Sequence, residues 1–143
     1  MADTVVFDTS AFLTLTGDED GANEVDALIG KAMAGEVALH ACFVSLTEVE
    51  YITLQKSGEA TARQRMADID ALPIEWHHSD NDLCSAAAKF KAAHKMSFAD
   101  SFVAALAQRL DATLVHKDPE FAALADVVKL HALPPKSGPG QMA

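Results

Sequence analysis

Residues 1–15 read MADTVVFDTSAFLTL. The apolar, β-branched run Thr4–Phe7 has the composition of a strand, and it ends in an aspartate, Asp8, followed at once by Thr9 and Ser10. A short strand that is apolar throughout belongs in a sheet covered on both faces. Asp8 then has two readings. It is an N-cap for the segment Ser10–Leu15, or it is one member of a site whose other members lie far along the chain.

The pattern recurs downstream. Strands are predicted at Val37–Ala41, Ile74–His77, Thr113–His116 and Val127–Leu130, with helices over Asp18–Ala34, Leu46–Lys56, Glu59–Ala71, Asp80–Ala93 and Phe98–Leu110. Ser45, Ser79 and Ser97 stand where helix N-caps are expected; Glu48 follows Ser45 at capping-box spacing, and Gly17 and Gly58 mark breaks. This alternation predicts an α/β domain with a mostly parallel sheet, in which ligands bind outside the C-terminal ends of the strands. Asp8 sits at such an end. The chain after Leu133, PPKSGPGQMA, is rich in Pro, Gly and Ser, so the domain is expected to span residues 1–133 and a flexible tail residues 134–143.

A chain of 143 residues, half of them hydrophobic, can bury a core without disulfides. No apolar run is long enough to span a membrane, and the N-terminus lacks a signal peptide's basic start, so a cytoplasmic protein is expected. The two cysteines, Cys42 and Cys84, lie in apolar segments and read as buried free thiols. The net charge of −10 argues against nonspecific adhesion to nucleic acid or anionic lipid, but bound cations would reverse the sign of an acidic site locally.

Most acidic residues read as solvated, including Asp18, Glu19 and Asp20 at an expected helix start and Asp68, Asp70, Glu75 and Asp111 in polar or boundary positions. Four sit in apolar settings. Besides Asp8, Asp118 follows the fourth strand by two residues in ATLVHKDPEF, where Pro119 opens a short helix and Asp118 is again a cap or a ligand. Asp100, in SFADSFVAALA, heads a stripe of Val103, Ala104 and Ala107; its other reading is a first-turn acid on the helix dipole. In SLTEVEYITL, helical spacing leaves open whether Glu48 or Glu50 points inward. Clustered carboxylates repel and need protons or cations. All-oxygen ligands suit Mg²⁺ or Mn²⁺, and such a metal can polarise a phosphoryl group and generate hydroxide. Metal-assisted phosphodiester hydrolysis fits.

These four segments, in this order and over about residues 3–131, resemble the PIN domain, in particular the VapC-type ribonuclease toxins of bacterial toxin–antitoxin pairs. The resemblance implies a PIN-like three-layer sandwich, with a central, mostly parallel sheet flanked by helices. It implies an acidic pocket of Asp8, Glu48, Asp100 and Asp118 around Mg²⁺ or Mn²⁺, and selects Glu48 over Glu50. Ser10 matches a small polar position that supports the first Asp. The resemblance also implies an RNA substrate, a homodimer and a cognate antitoxin. His116 departs from the family pattern, standing where a Thr or Ser is usual; its imidazole would replace a supporting hydroxyl.

Three other functions compete with a toxin: a PIN-type RNA-processing nuclease outside a toxin pair, a partner-binding PIN module without catalysis, and a receiver-type phosphoacceptor domain. The last wants an acidic pair after the first strand, where only Asp8 is found. The six histidines show no helical metal-ligand spacing and read as core-edge residues, with His116 the one expected to touch the site. Lys89, Lys91, His94 and Lys95 in KFKAAHK read as a solvated helix end or as an RNA-phosphate contact.

Overall fold

The computed structural model describes residues 3–135. Of the expected tail, residues 136–143 lie outside the described residues. Five strands, β1 (Asp3–Phe7), β2 (Val37–Cys42), β3 (Ile74–His77), β4 (Thr113–His116) and β5 (Lys129–Ala132), form one sheet in the order β3-β2-β1-β4-β5. Every pairing is parallel. Five helical segments connect them: α1 (Thr9–Thr16), α2 (Ala22–Met33), α3 (Phe43–Asp70, two helices joined at a kink at Gly58, the expected break), α4 (Asn81–Ala93) and α5 (Phe98–Arg109); a 3₁₀ helix, Pro119–Leu124, precedes β5. No described helix is long and apolar enough to cross a membrane.

Strand alternation splits the core in two. Val6, Cys42 and Leu114 pack with Leu83, Phe90, Val103 and Leu106 from α4 and α5. Val5, Phe7, Leu39, Ala41 and Val115 pack with Phe12, Val25, Ile29, Val49 and Ile69 from α1, α2 and α3. Central strands thus bury both faces, which is why β1 reads as continuously apolar. The edge strands β3 and β5 are more polar, as unpaired edges usually are. Chain order runs outward from β1 to β2 and β3, then returns across the sheet to β4. The direction reverses between β1 and β4, at whose C-terminal ends Asp8 and Asp118 lie.

The structure differs from several sequence expectations. α2 starts at Ala22, not Asp18, because Asp18 (φ 50°) and Gly21 (φ 99°) are left-handed. Glu19 belongs to this loop and pairs with Lys117 at 3.2 Å. α3 starts at Phe43 directly after β2, which puts Ser45 inside the first turn, fully buried, so it caps nothing and the capping box with Glu48 does not form. The cap of α4 is Asp80, which accepts from the Leu83 amide at 2.7 Å, not Ser79. β5 starts two residues late because the Val127 and Val128 amides both bond to the Leu124 carbonyl and complete the preceding turn. Both cysteines are free, but Cys84 is exposed on α4 rather than buried.

Candidate active site

Asp8 is fixed twice over. Its backbone amide donates to the Val115 carbonyl at 3.0 Å, joining β1 to β4. Its carboxylate caps α1, where Oδ2 accepts from the Ser10 amide at 3.1 Å and from the Ser10 hydroxyl. Ser10 Oγ in turn accepts from the Lys117 amide at 2.9 Å, so one hydroxyl ties the first acid to the loop after β4. Oδ1 is buried and has no partner among the described residues. Burial pushes the Asp8 carboxyl up to about 6, against the lowering pull of the Ser10 bonds.

Glu48 reaches the same region from α3. Its Oε1 accepts from Thr9 Oγ1 at 2.7 Å. The Thr9 hydroxyl proton is then committed, so the Ser45 hydroxyl, 2.8 Å away, must donate to Thr9. That buried Ser45–Thr9–Glu48 chain explains why Ser45 is not a cap. Glu50 faces solvent instead.

Asp100 lies in the first turn of α5, with Ser97 Oγ accepting from its amide at 3.1 Å. The stripe behind it, Val103, Ala104 and Ala107, is buried, and the small side chains let α5 seat against the sheet. Asp100 is 6% exposed, and its Oδ2 is buried without a partner among the described residues. Burial, then the charge of Asp8, then Asp118 and Glu48 push its carboxyl up to about 9. The charges of the other three predicted acids all act on Asp100, although Asp8 and Glu48 do not belong to the group of carboxylate oxygens within 4.8 Å of one another that Asp100 forms.

Asp118 caps the 3₁₀ helix, accepting from the Glu120 amide at 2.9 Å. His116 is buried; its Nδ1 lies 3.0 Å from the Asp118 carbonyl oxygen, so the imidazole steadies the backbone of the fourth acid, not its carboxylate. Sequence reasoning missed Glu120. One oxygen from each of Asp100, Asp118 and Glu120 falls within 4.8 Å of the others. The signal was the short Asp-Pro-Glu run, because a tight turn after Asp118 brings the next acid back to the same edge.

This arrangement fits a hard divalent cation. Two buried carboxylate oxygens, Asp8 Oδ1 and Asp100 Oδ2, lack a donor, a costly state unless a proton or cation supplies the missing contact. The donors are all oxygen, the set that suits Mg²⁺ or Mn²⁺.

Residues 5–127 match the family model of the PIN domain. The fold is shared with VapBC2 of Rickettsia felis, solved bound to a DNA fragment from its promoter: TM-score 0.69, 16% identity, covering 92% of this chain and 99% of that one. VapC20 of Mycobacterium tuberculosis, described as a sarcin–ricin loop cleaving toxin, gives TM-score 0.69 at 19% identity over 91% and 99% of the two chains. VapBC-1 of nontypeable Haemophilus influenzae gives 0.66 at 14% identity over 90% and 97%. No curated protein matches the sequence at a significant level.

Proposed function

The chain belongs to the PIN-domain family, and from that premise we propose that it is a metal-dependent endoribonuclease, the toxin of a toxin–antitoxin pair. The observation that carries this reading is the pair of buried, unpartnered oxygens on Asp8 and Asp100 at the reversal point of a parallel sheet, where ligands of such sheets bind. Asp8, Asp100 and Asp118 would hold Mg²⁺ or Mn²⁺, and Glu120 stands close enough to Asp100 and Asp118 to join them, with one oxygen of each of these three within 4.8 Å of the others. When bound, the cation polarises the phosphodiester and lowers the pKa of a coordinated water. Ser10 keeps Asp8 oriented, and Thr9 engages Glu48 Oε1, which leaves Oε2 to orient the attacking water and accept its proton.

The toxin assignment is supported by fold neighbours that are themselves toxins or toxin–antitoxin complexes. An antitoxin segment laid over the acidic pocket, in the cytoplasm, belongs to the same reading. A homodimer is supported by an apolar groove of about 520 Å³ between α4 and α5, lined by Ala87, Ala88, Phe98 and Phe102, with Phe98 69% exposed. The family match displaces the receiver-type alternative.

The test is cleavage of structured RNA by the purified protein with Mg²⁺ or Mn²⁺. EDTA should abolish it, and Asp8→Asn should lower the rate at least about a hundredfold, the upper end of what loss of a mere supporting contact costs a metal site. Full activity of Asp8→Asn would refute the site.

A further inference from the structure

On the two strands between β1 and the sheet edge, three more side chains converge. His40 lies on β2, and Glu75 and His77 lie on β3. The parallel register sets His40 beside Glu75, and strand alternation puts His77 on the same face as Glu75. His40 Nδ1 is 2.8 Å from His77 Nε2. Glu75 Oε2 is 3.0 Å from the first nitrogen and 3.2 Å from the second. The imidazoles are largely buried, whereas the Glu75 side chain is 68% exposed, so the cluster opens to solvent on one side.

With Glu75 ionised, no placement of protons satisfies all three contacts of this triangle. A neutral imidazole nitrogen carries either a hydrogen or a lone pair. With hydrogens on both inward nitrogens, each donates to Glu75, but the two N–H groups confront each other across 2.8 Å. With one hydrogen, the remaining nitrogen lone pair faces the carboxylate. With none, three lone pairs converge. A cation at the centre makes all three contacts favourable at once. Zn–N bonds of about 2.0–2.1 Å and Zn–O bonds of about 2.0–2.2 Å place tetrahedral donors roughly 3.3 Å apart, close to the observed edges. Imidazole nitrogen also selects a softer metal than the all-oxygen pocket does. Arg109 on α5 pairs with Asp80 at 3.0 Å, and its charge still acts on His77.

We infer that His40, Glu75 and His77 form a Zn²⁺ site with three protein ligands and a fourth position open to water. The ion would clamp the four-residue edge strand β3, which is paired on one side only, to β2. The inference is independent of the nuclease reading.

Calorimetric titration of the metal-stripped full chain with Zn²⁺, in excess Mg²⁺ to occupy the acidic pocket, tests it. Wild type and the Asp8→Asn/Asp100→Asn double variant should each bind one Zn²⁺ and melt at a higher temperature with it. His77→Gln and His40→Gln, checked for folding by circular dichroism, should bind it at least about a hundredfold more weakly and show no such shift. Absence of Zn²⁺ binding, binding that persists in both histidine variants, or binding lost in the double aspartate variant would overturn the inference.

Discussion

Asp8 combines two roles that the sequence posed as alternatives. It caps α1 through Oδ2 and leaves Oδ1 bare in the pocket. The second role costs stability in the absence of metal. Its carboxyl is raised from the ordinary value to about 6, so the folded chain binds that proton more tightly than the unfolded chain. Stability from this residue is therefore largest at low pH and falls as pH rises through the window between about 4 and about 6. Asp100, raised to about 9, extends the fall toward alkaline pH. Urea unfolding in EDTA should find wild type losing stability between about pH 5 and about pH 8. Asp8→Asn should flatten that slope and gain up to about 3 kcal/mol at neutral pH. A variant less stable than wild type at both pH values would contradict the account. At this scale the sequence exposed Asp8, Asp100 and Asp118 because each interrupts an apolar pattern. Glu120 and the His40–Glu75–His77 triangle do not interrupt one. The first is signalled only by the tight turn that the Asp-Pro-Glu run makes, and the second depends on the register of two strands, which is not a property of local sequence.

Helices here are set by their ends, and the ends were the least legible part. Residue type did not distinguish Ser79 from Asp80 as a cap, and Ser45 carried a capping signature while its hydroxyl bonded Thr9 across the fold. Gly58 was legible, since it breaks two amphipathic runs. It has φ 84° and ψ 177° within α3, a conformation that any other residue adopts at a cost, and a Cβ there would meet nothing within 4 Å. Gly30 also has open space around a Cβ, but it lies in the exposed, ordinary helical backbone of α2. The same substitution should therefore act with opposite signs. Gly58→Ala should destabilise by about 1–3 kcal/mol through backbone strain alone. Gly30→Ala should stabilise by about 0.5–1 kcal/mol through helix propensity and reduced freedom of the unfolded chain. Denaturant midpoints of the two variants check both; equal shifts in one direction would show that backbone conformation does not decide these sites.

At the scale of the whole molecule, an acidic protein must still engage a polyanion if it is a ribonuclease. The net charge of −10 opposes that approach over long range, so any attraction has to be local. The three-layer architecture was legible from alternating strands and helices, but the face on which cations remain available was not, because it depends on pairing across the fold. Lys117 is committed to Glu19, Arg109 to Asp80 and Lys129 to Asp111. Lys89, Lys91 and Lys95 are exposed on α4 and the turn after it and form no ion pair among the described residues; Lys31 on α2 and Lys56, Arg63 and Arg65 on α3 form none either, but only the α4 group comes within five residues of a pocket acid, Lys95 before Asp100. That turn leads directly into α5 and Asp100. A phosphate backbone tracked along α4 would thus arrive at the acidic pocket, with the lysines supplying the attraction that the pocket supplies only when metal-loaded. Each phosphate contact to a single strand contributes about −0.7 to the slope of log K against log salt. Reversing all three charges, with Lys89→Glu, Lys91→Glu and Lys95→Glu combined, should weaken RNA binding and reduce the slope's magnitude by up to about 2. Cleavage at saturating RNA should change little, because none of the three belongs to the pocket. Fluorescence anisotropy across a salt series reads affinity and slope together. If both stay at wild-type values, RNA approaches from another face, and α4 is simply a solvated surface beside the site.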